Sequence, residues 1–236
     1  MLHYVRLLAL VLLALHHPHP SSQEMGCDDV HLRGCRSFVL EMFVKKESKA
    51  SAALILPQWA LAPIKAFSGD TKPKDIQLKS KLRDGTLYST RVARYRKLQP
   101  ILYLLHLGTP YPQRTPTIPI VTRFETVYRD RCTIFAAYNS SVAIHQVQRF
   151  ISVSNCPYSA ALSTNDKKFC VTTPRCFRTL GALMVCKDIL VALGDRVDDC
   201  TLGNVYPFVG LASKDIDILK PIQEVGDGYL YEDTIT

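Results

Sequence analysis

The chain has 236 residues, of which 47% are hydrophobic and 21% are charged, values typical of a globular protein and not of a disordered or fibrous one. The 29 Lys and Arg outnumber the 21 Asp and Glu, and the formal net charge of +8 favours anionic partners in general without selecting one. With 14 Pro and only 11 Gly, the composition also excludes collagen-like, repetitive and linker-dominated architectures.

The N-terminus has the pattern of a secretory signal peptide. A segment with one positive charge ends at Arg6, and the apolar run LLALVLLAL follows over residues 7–15. That run is shorter than the roughly 20 residues that span a bilayer. It predicts a signal peptide over residues 1–22, cleaved near residues 20–23, with an interfacial anchor as the alternative. All eight cysteines lie at or beyond Cys27, and an even number is typical of a secreted disulfide framework, so we predict an extracellular protein without a transmembrane segment.

Short apolar or alternating runs, separated by turn residues, predict an all-β fold. In the first half the predicted strands form a meander over residues 38–44, 52–55, 59–64, 76–82, 87–95 and 101–107. Asp84-Gly85 predicts a hairpin between two of them, because glycine tolerates the positive φ that such turns need. In the second half we predict strands at residues 132–137, 142–152, 183–186, 189–193 and 205–211, and a short terminal helix near residues 216–222. Composition alone leaves a sandwich and a pair of barrels open.

Four prolines between residues 108 and 120 interrupt any regular element, so we expect the chain to cross there from one folded unit to a second. The predicted units are an N-terminal unit over residues 23–115 and a C-terminal unit over residues 116–236. The second unit includes the helix and a tail over residues 224–236 that holds four acidic and no basic side chains.

Three segments carry a family resemblance. SAALILPQWALAPIKA, over residues 51–66, resembles the strand of trypsin-like serine proteases that leads through Gln-Trp to the box Ala-Ala-His-Cys. CFRTLGALMVC, over residues 176–186, has the length of that family's nucleophile segment, and Asn204-Val205-Tyr206 stands where the family has Gly-Val-Tyr. The resemblance implies two packed antiparallel β-barrels with the active site in the cleft between them.

A weaker likeness lies in two short runs, Arg-Asp-Gly-Thr at residues 83–86 and Val-Cys-Lys-Asp at residues 185–188. These runs are similar to inactive trypsin-like paralogues of the mammalian male reproductive tract. That likeness implies a secretory vesicle or the acrosome as an alternative to the open extracellular space.

The resemblance also implies a disulfide pattern. Carried over residue by residue, it pairs Cys132 with Cys186, Cys156 with Cys170 and Cys176 with Cys200, and it leaves Cys27 and Cys35 to bridge each other. The family's bridge beside the catalytic histidine is absent, since Ala50 and Ala66 occupy its two positions.

Catalysis in this family needs a serine nucleophile, a histidine base and a carboxylate that orients the histidine. The resemblance assigns these three roles to Leu180, Lys65 and Ile101, and a shift by one residue would replace Ile101 by Pro100. Lysine side chains stay protonated near neutral pH, and an alkyl group forms no acyl-enzyme. The triad is therefore degenerate at every position.

The supporting positions are also changed. Arg178 replaces the glycine that lines the oxyanion hole, and Pro174 stands where trypsin has its specificity aspartate. Thr179 replaces the aspartate that pairs with a newly cut N-terminus, and Asp195 begins the segment where the substrate-binding strand usually reads Ser-Trp-Gly. A substitute dyad would have to use His106, which strand alternation predicts to point away from the cleft or into a barrel.

No metal or cofactor is expected, because the sequence has no His-x-x-x-His and no spare Cys-x-x-Cys motif. Asn139-Ser140-Ser141 is a glycosylation sequon, which predicts that Asn139 lies in a surface loop.

The densest charge feature lies between residues 72 and 97. We name it the basic stripe; it holds two acidic residues and nine basic ones: Lys72, Lys74, Lys79, Lys81, Arg83, Arg91, Arg94, Arg96 and Lys97. It is either an anion-binding exosite or a solvated barrel face, and strand alternation would split its charges between two faces. The acidic tail is expected either to fold back on the basic stripe or to remain mobile.

These patterns predict a secreted, monomeric, inactive serine protease homologue that acts by binding an extracellular protein or a sulfated glycan. Nucleic acid is not an expected partner, because a secreted chain without an aromatic stacking platform is unsuited to it. The alternatives are a serine endopeptidase that uses unorthodox residues and a gene product without a selected partner.

Overall fold

A computed structural model of the protein describes residues 36–99, 102–121, 132–156, 168–174, 179–195 and 204–211. Within these ranges the chain forms thirteen β-strands in two sheets, and its helical segments are short 3₁₀ turns. The prediction of an all-β fold is confirmed. The predicted terminal helix near residues 216–222 lies outside the described residues.

The first sheet is a closed barrel of six strands in the order β1-β2-β3-β6-β5-β4. Its strands are β1 (Val39–Val44), β2 (Glu47–Leu56), β3 (Trp59–Pro63), β4 (Ile76–Lys81), β5 (Leu87–Gln99) and β6 (Leu102–Leu107). The meander prediction is correct within β1–β3 and within β4–β6 but wrong between them, because β3 pairs with β6 and β1 with β4. Those two pairings leave no strand of the barrel with an unpaired edge.

Side-chain alternation fixes which face of each strand enters the barrel. In β4 the buried Ile76, Leu78 and Ser80 alternate with the more exposed Gln77, Lys79 and Lys81. The turn to β5 is the predicted Asp-Gly hairpin: Gly85 has a φ of 88°, and the Asp84 carboxylate accepts a hydrogen bond of 2.8 Å from the Thr86 N–H.

The second sheet has seven strands in the order β8-β7-β11-β12-β13-β10-β9. They are β7 (Cys132–Tyr138), β8 (Ser141–Gln146), β9 (Arg149–Ile151), β10 (Lys168–Thr172), β11 (Leu183–Cys186), β12 (Ile189–Gly194) and β13 (Val205–Gly210). Val147 donates to the Cys132 carbonyl at 3.0 Å and Gln148 to the Thr172 carbonyl at 2.9 Å. The sheet therefore curls until its two edges approach each other, forming a second, incomplete barrel.

In this sheet one prediction is wrong and one strand was missed. The single strand predicted over residues 142–152 is two strands, because β8 pairs with β7 whereas β9 pairs with β10 at the opposite edge. The bend between them, at Val147 and Gln148, is what brings the two edges together. Strand β10 was not predicted at all, since its five residues, KFCVT, are too few to show a period.

The proline-rich segment crosses from the barrel to the second sheet in extended form. Tyr111 N–H donates to the Pro57 carbonyl at 2.7 Å, and Ile118 N–H donates to the Leu54 carbonyl at 3.0 Å. The segment then reaches β12, where the Leu190 N–H donates to the Pro119 carbonyl at 2.8 Å. Backbone hydrogen bonds thus bind the crossing segment to both sheets.

The two sheets also contact each other directly through buried polar groups. The fully buried Ser51 accepts a hydrogen bond of 2.8 Å from the Ala137 N–H in β7. Glu41 is only 3% exposed, and its carboxylate accepts hydrogen bonds from the N–H groups of Asn139 and Ser140 at 2.9 and 2.8 Å and from the Ser48 hydroxyl at 2.6 Å. One buried carboxylate of the barrel therefore fixes the turn between β7 and β8.

The described cysteines form two of the four expected bridges. Cys132 and Cys186 face each other in register across β7 and β11 and are bonded, and Cys156 is bonded to Cys170. Both pairings confirm the expectation drawn from the resemblance, whereas the bridges expected for Cys176 with Cys200 and for Cys27 with Cys35 lie outside the described residues.

Among the described residues there is no helix whose length and apolar character would allow it to cross a membrane.

Non-reducing peptide mapping of the mature chain should recover Cys132–Cys186 and Cys156–Cys170, and we expect Cys176–Cys200 and Cys27–Cys35 as well. Every one of these bridges stays within one half of the chain, as required if each half closes on itself. A bridge joining a cysteine before residue 36 to one after residue 131 would contradict this arrangement.

Glu41→Gln should destabilise the folded chain by about 1–3 kcal/mol, because the new amide group would be buried with one of its N–H donors facing a donor of the turn in place of an acceptor. Urea denaturation measures the change. The matched control is Glu47→Gln, which alters an exposed carboxylate paired with Lys49 and should change stability by less than about 0.5 kcal/mol. Equal effects of the two substitutions would show that Glu41 does not hold the turn.

Candidate functional site

Lys65 lies on the barrel at the point where β3 ends. The 3₁₀ turn Ile64–Ala66 follows β3 directly, because Pro63 closes the strand and the Phe67 N–H donates to the Ile64 carbonyl. The Lys65 side chain is 52% exposed and extends toward the second sheet, where its Nζ lies 3.0 Å from Oδ2 of Asp195. The residue that the resemblance assigns to the base thus forms an ion pair.

Asp195 follows β12 and is the partner that sequence reasoning did not identify. Its side chain is only 7% exposed, and its backbone N–H donates to the Pro207 carbonyl at 3.2 Å. A carboxylate so little exposed needs a compensating charge, which Lys65 supplies. In the sequence Asp195 directly follows the apolar run of β12, and the resemblance aligns it with the start of the substrate-binding strand, but neither signal names its partner.

Leu180 is held against the barrel by its backbone. It forms a parallel bridge with Ala50, and its carbonyl accepts a hydrogen bond of 2.8 Å from the Ser51 N–H. Leu180 is 6% exposed and belongs to the main hydrophobic core. The residue that the resemblance assigns to the nucleophile is therefore a packed alkyl group.

Gly181 makes this close approach possible. Its φ of 71° is in the left-handed region, and a Cβ built on it would lie 2.4 Å from the Ser51 carbonyl oxygen and 2.7 Å from a ring carbon of Pro63. No residue other than glycine fits between these groups without moving backbone.

Lys65, Leu180 and Asp195 lie at one junction between the barrel and the second sheet. The Gly181 N–H donates to the Gly194 carbonyl at 3.1 Å. Leu180 precedes Gly181 and Asp195 follows Gly194, so this hydrogen bond brings Leu180 and Asp195 close to each other. Lys65 joins them through its ion pair. An ammonium donates hydrogen bonds but accepts no proton. The described side chains at this junction are therefore an ion pair and an apolar group, and neither Lys65 nor Leu180 offers a base or a nucleophile. Ile101, Pro100 and Arg178, the other assigned positions, lie outside the described residues.

His106 is far from this junction. It pairs in register with Trp59, and the two rings pack edge to face with centroids 4.6 Å apart. Pro63 and Leu102 pair at the other end of the same two strands, about 13 Å away at the usual rise per residue. Burial lowers the pKa of His106, and the charge of Arg94 lowers it further. In β6 the half-buried His106 alternates with the fully buried Leu105 and Leu107, so its ring lies on the outer face of the barrel wall, away from this junction.

The remaining predicted residues lie elsewhere. Pro174 is exposed after β10, where its carbonyl accepts a hydrogen bond of 3.1 Å from Asn204 Nδ2, and Thr179 is buried. Asn139 is exposed in the two-residue turn between β7 and β8, with a φ of 49°. The basic stripe lies on β4, β5 and the turns beside them. In the described ranges no group of three His, Cys, Asp or Glu side chains is placed to hold a metal ion.

Comparison with known proteins identifies the fold. No protein-family profile and no curated protein sequence matches the chain. Among solved structures, kallikrein-related peptidase 10 has a TM-score of 0.61 at 16% identity, covering 81% of this chain and 98% of that chain. Scabies mite inactivated protease paralogue S-D1 has a TM-score of 0.61 at 13% identity, covering 84% and 96%, and paralogue S-I1 one of 0.60 at 13%, covering 81% and 96%. The chain has the fold of trypsin-like serine proteases.

Lys65→Met should cost about 1–3 kcal/mol of folding free energy, because it removes the one counter-charge that the described residues supply to the buried Asp195 carboxylate. Asp195→Asn should cost less, because an unpaired Lys65 ammonium remains half in water and the amide oxygen still accepts its hydrogen bond. Urea denaturation of both variants gives the comparison, with Lys49→Met as the control for an exposed pair. The reverse order of the two losses would contradict the pairing described above.

Proposed function

We propose that this chain is a secreted, catalytically inactive homologue of trypsin-like serine proteases that acts by binding. The observation that carries the proposal is the ion pair between Lys65 and Asp195, at the position where the resemblance puts the catalytic base. A base must accept the proton of the nucleophile, and a lysine ammonium held by a carboxylate has no free lone pair for it.

The proposed loss of the nucleophile rests on chemistry and on packing. The Leu180 side chain has only carbon and hydrogen atoms, so no bond to an acyl carbon can form from it. Its burial in the core gives that side chain a packing role, which supports a structural use of the position.

Relatives of the fold make inactivity compatible with a stable structure. Two solved structures that share the fold are described as inactivated protease paralogues. The fold thus persists in proteins described as having lost protease activity, so the same state is a reasonable assignment for this chain.

Secretion, glycosylation and binding complete the proposal. The two disulfides suit an oxidising compartment, and the exposed turn that holds Asn139 presents the sequon to solvent. We assign the mature chain an extracellular protein or a sulfated glycan as its partner, and residues 23–115 and 116–236 as its two structural units.

Purified mature chain should hydrolyse no peptide in a diverse fluorogenic library at a rate above that of heat-denatured chain. The double variant Lys65→His/Leu180→Ser should stay equally inactive, since Ile101 and Arg178 would still leave it without the carboxylate and the oxyanion glycine that the resemblance requires. Thermal melting of the double variant is measured in parallel, so that a misfolded sample is not counted as an inactive one.

Turnover by the native chain that co-purifies with it through two columns and is lost on denaturation would contradict the proposal. Turnover confined to the double variant would show that the base and the nucleophile were the only missing parts, and it would overturn the assignments of Ile101 and Arg178.

A further inference from the structure

Five basic side chains of the basic stripe form a single row on the outside of the barrel. The row, which we name the cationic row, consists of Lys81, Lys79, Arg91, Arg94 and Arg96. In β4, Lys79 and Lys81 point outward because Leu78 and Ser80 point into the barrel. Lys79 and Lys81 pair in register with Ser89 and Leu87 of β5, and Gln77 pairs with Arg91.

A β-bulge extends the row along β5. Thr90 and Val92 are buried, so strict alternation would turn residues 94 and 96 toward the interior as well. The register shifts between Val92 and Arg94, and Arg94 then pairs with His106, whose ring is on the outer face beside Trp59. The bulge therefore reverses the phase of the strand and places Arg94 and Arg96 on the face that carries Arg91.

The row has a regular spacing. Lys81, Lys79 and Arg91 lie at successive alternate levels of the hairpin, and Arg94 and Arg96 continue the series beyond the bulge. At the rise of an antiparallel strand, alternate residues are about 7 Å apart, so five charges extend over about 27 Å.

The described part of the chain supplies no counter-charge to the row. Within the described ranges none of its five members belongs to an ion pair. Glu41 pairs in register with Lys79, but its oxygens accept hydrogen bonds from Ser48, Asn139 and Ser140, while Lys79 Nζ lies over the Phe43 ring at 4.1 Å. Like charges held in a row raise the local potential, which a bound polyanion relieves.

The surroundings of the row favour a ligand recognised by charge alone. Both β4 and β5 are paired on each side, so neither strand offers a free edge to an added peptide strand. Among the described residues the exposed large apolar side chains are Leu56, Leu87 and Tyr138, and only Leu87 stands beside the row. A protein partner would need more apolar anchors than this.

We propose that the cationic row binds a linear sulfated polysaccharide along the β4–β5 hairpin. This inference rests on the proposed binding function and names the ligand class. Sulfate groups carry a fixed negative charge, and an extended chain can place one of them near each successive member of the row.

The test compares two variants with equal charge. The row variant is Lys79→Glu/Lys81→Glu/Arg94→Glu/Arg96→Glu. The control changes four exposed basic residues outside the row, Lys46→Glu/Arg114→Glu/Arg149→Glu/Lys187→Glu. Both are made in mature chain freed of N-glycans, and binding to immobilised heparin is measured as a function of salt.

The row variant should lose on the order of 100-fold in affinity, with a shallower dependence of log Kd on log salt, while the control should lose less than about 5-fold. Sulfated oligosaccharides shorter than about 27 Å should bind more weakly than longer ones. If the row variant does not fold, Arg94→Gln/Arg96→Gln against Arg114→Gln/Arg149→Gln gives the same comparison with smaller charge changes.

Equal losses in the row and control variants would overturn the inference, because they would show a response to net charge alone. Stronger displacement by polyglutamate than by heparin would also overturn it, in favour of an acidic protein partner. Neither of these results would bear on whether the chain is catalytically inactive. Peptide turnover, in contrast, would contradict the proposed function and would leave the binding test of the row unaffected.

Discussion

The Leu180–Gly181 segment lies in close backbone contact with strand β2, and this contact joins the second sheet to the barrel. Gly181 has a positive φ, and its α-carbon is so close to the Ser51 carbonyl that a side chain there would collide with backbone. The Leu180 carbonyl is bound by the Ser51 N–H at 2.8 Å. Ser51 also binds Ala137 through its hydroxyl, so one residue of β2 contacts two separate segments of the second sheet.

This docking depends on backbone atoms and on one glycine, and not on the side chain at position 180. Leucine there adds buried apolar surface, and a buried leucine contributes about 2 kcal/mol or more relative to an exposed one. The ion pair of Lys65 with Asp195 also joins the two sheets at this junction, through opposite charges. The fold can therefore be retained while the chemistry assigned to these positions is lost, which separates fold from function.

Local patterns predicted the local structure well. Apolar alternation located most strands, and Asp84-Gly85 located the β4–β5 hairpin, because both signals depend on residues near in sequence. The pairing of β3 with β6, the separation of β8 from β9 and the phase change at Arg94 were not predictable in this way. Each depends on which strands become neighbours in space, and that is decided by closure of a whole sheet.

At the site, too, sequence motifs located individual residues but not their partners in space. The resemblance located Lys65 and Leu180 through short motifs, and the structure brings these two residues to one junction. The ion-pair partner of Lys65, Asp195, is 130 residues further along the chain, and the partners of Glu41 at the β7–β8 turn are almost 100 residues away. A single sequence shows a carboxylate in an apolar strand, but it does not show which donor compensates the burial.

The proposed loss of catalysis requires that the cleft of this trypsin-like fold has no reactive nucleophile. Intact-protein mass spectrometry after incubation with a set of fluorophosphonate and peptidyl phosphonate probes tests it most directly, with active trypsin as the positive control. We expect no mass increase on the native mature chain at concentrations that label the control completely. A single stoichiometric adduct that maps to one residue and disappears on prior heat denaturation would contradict it.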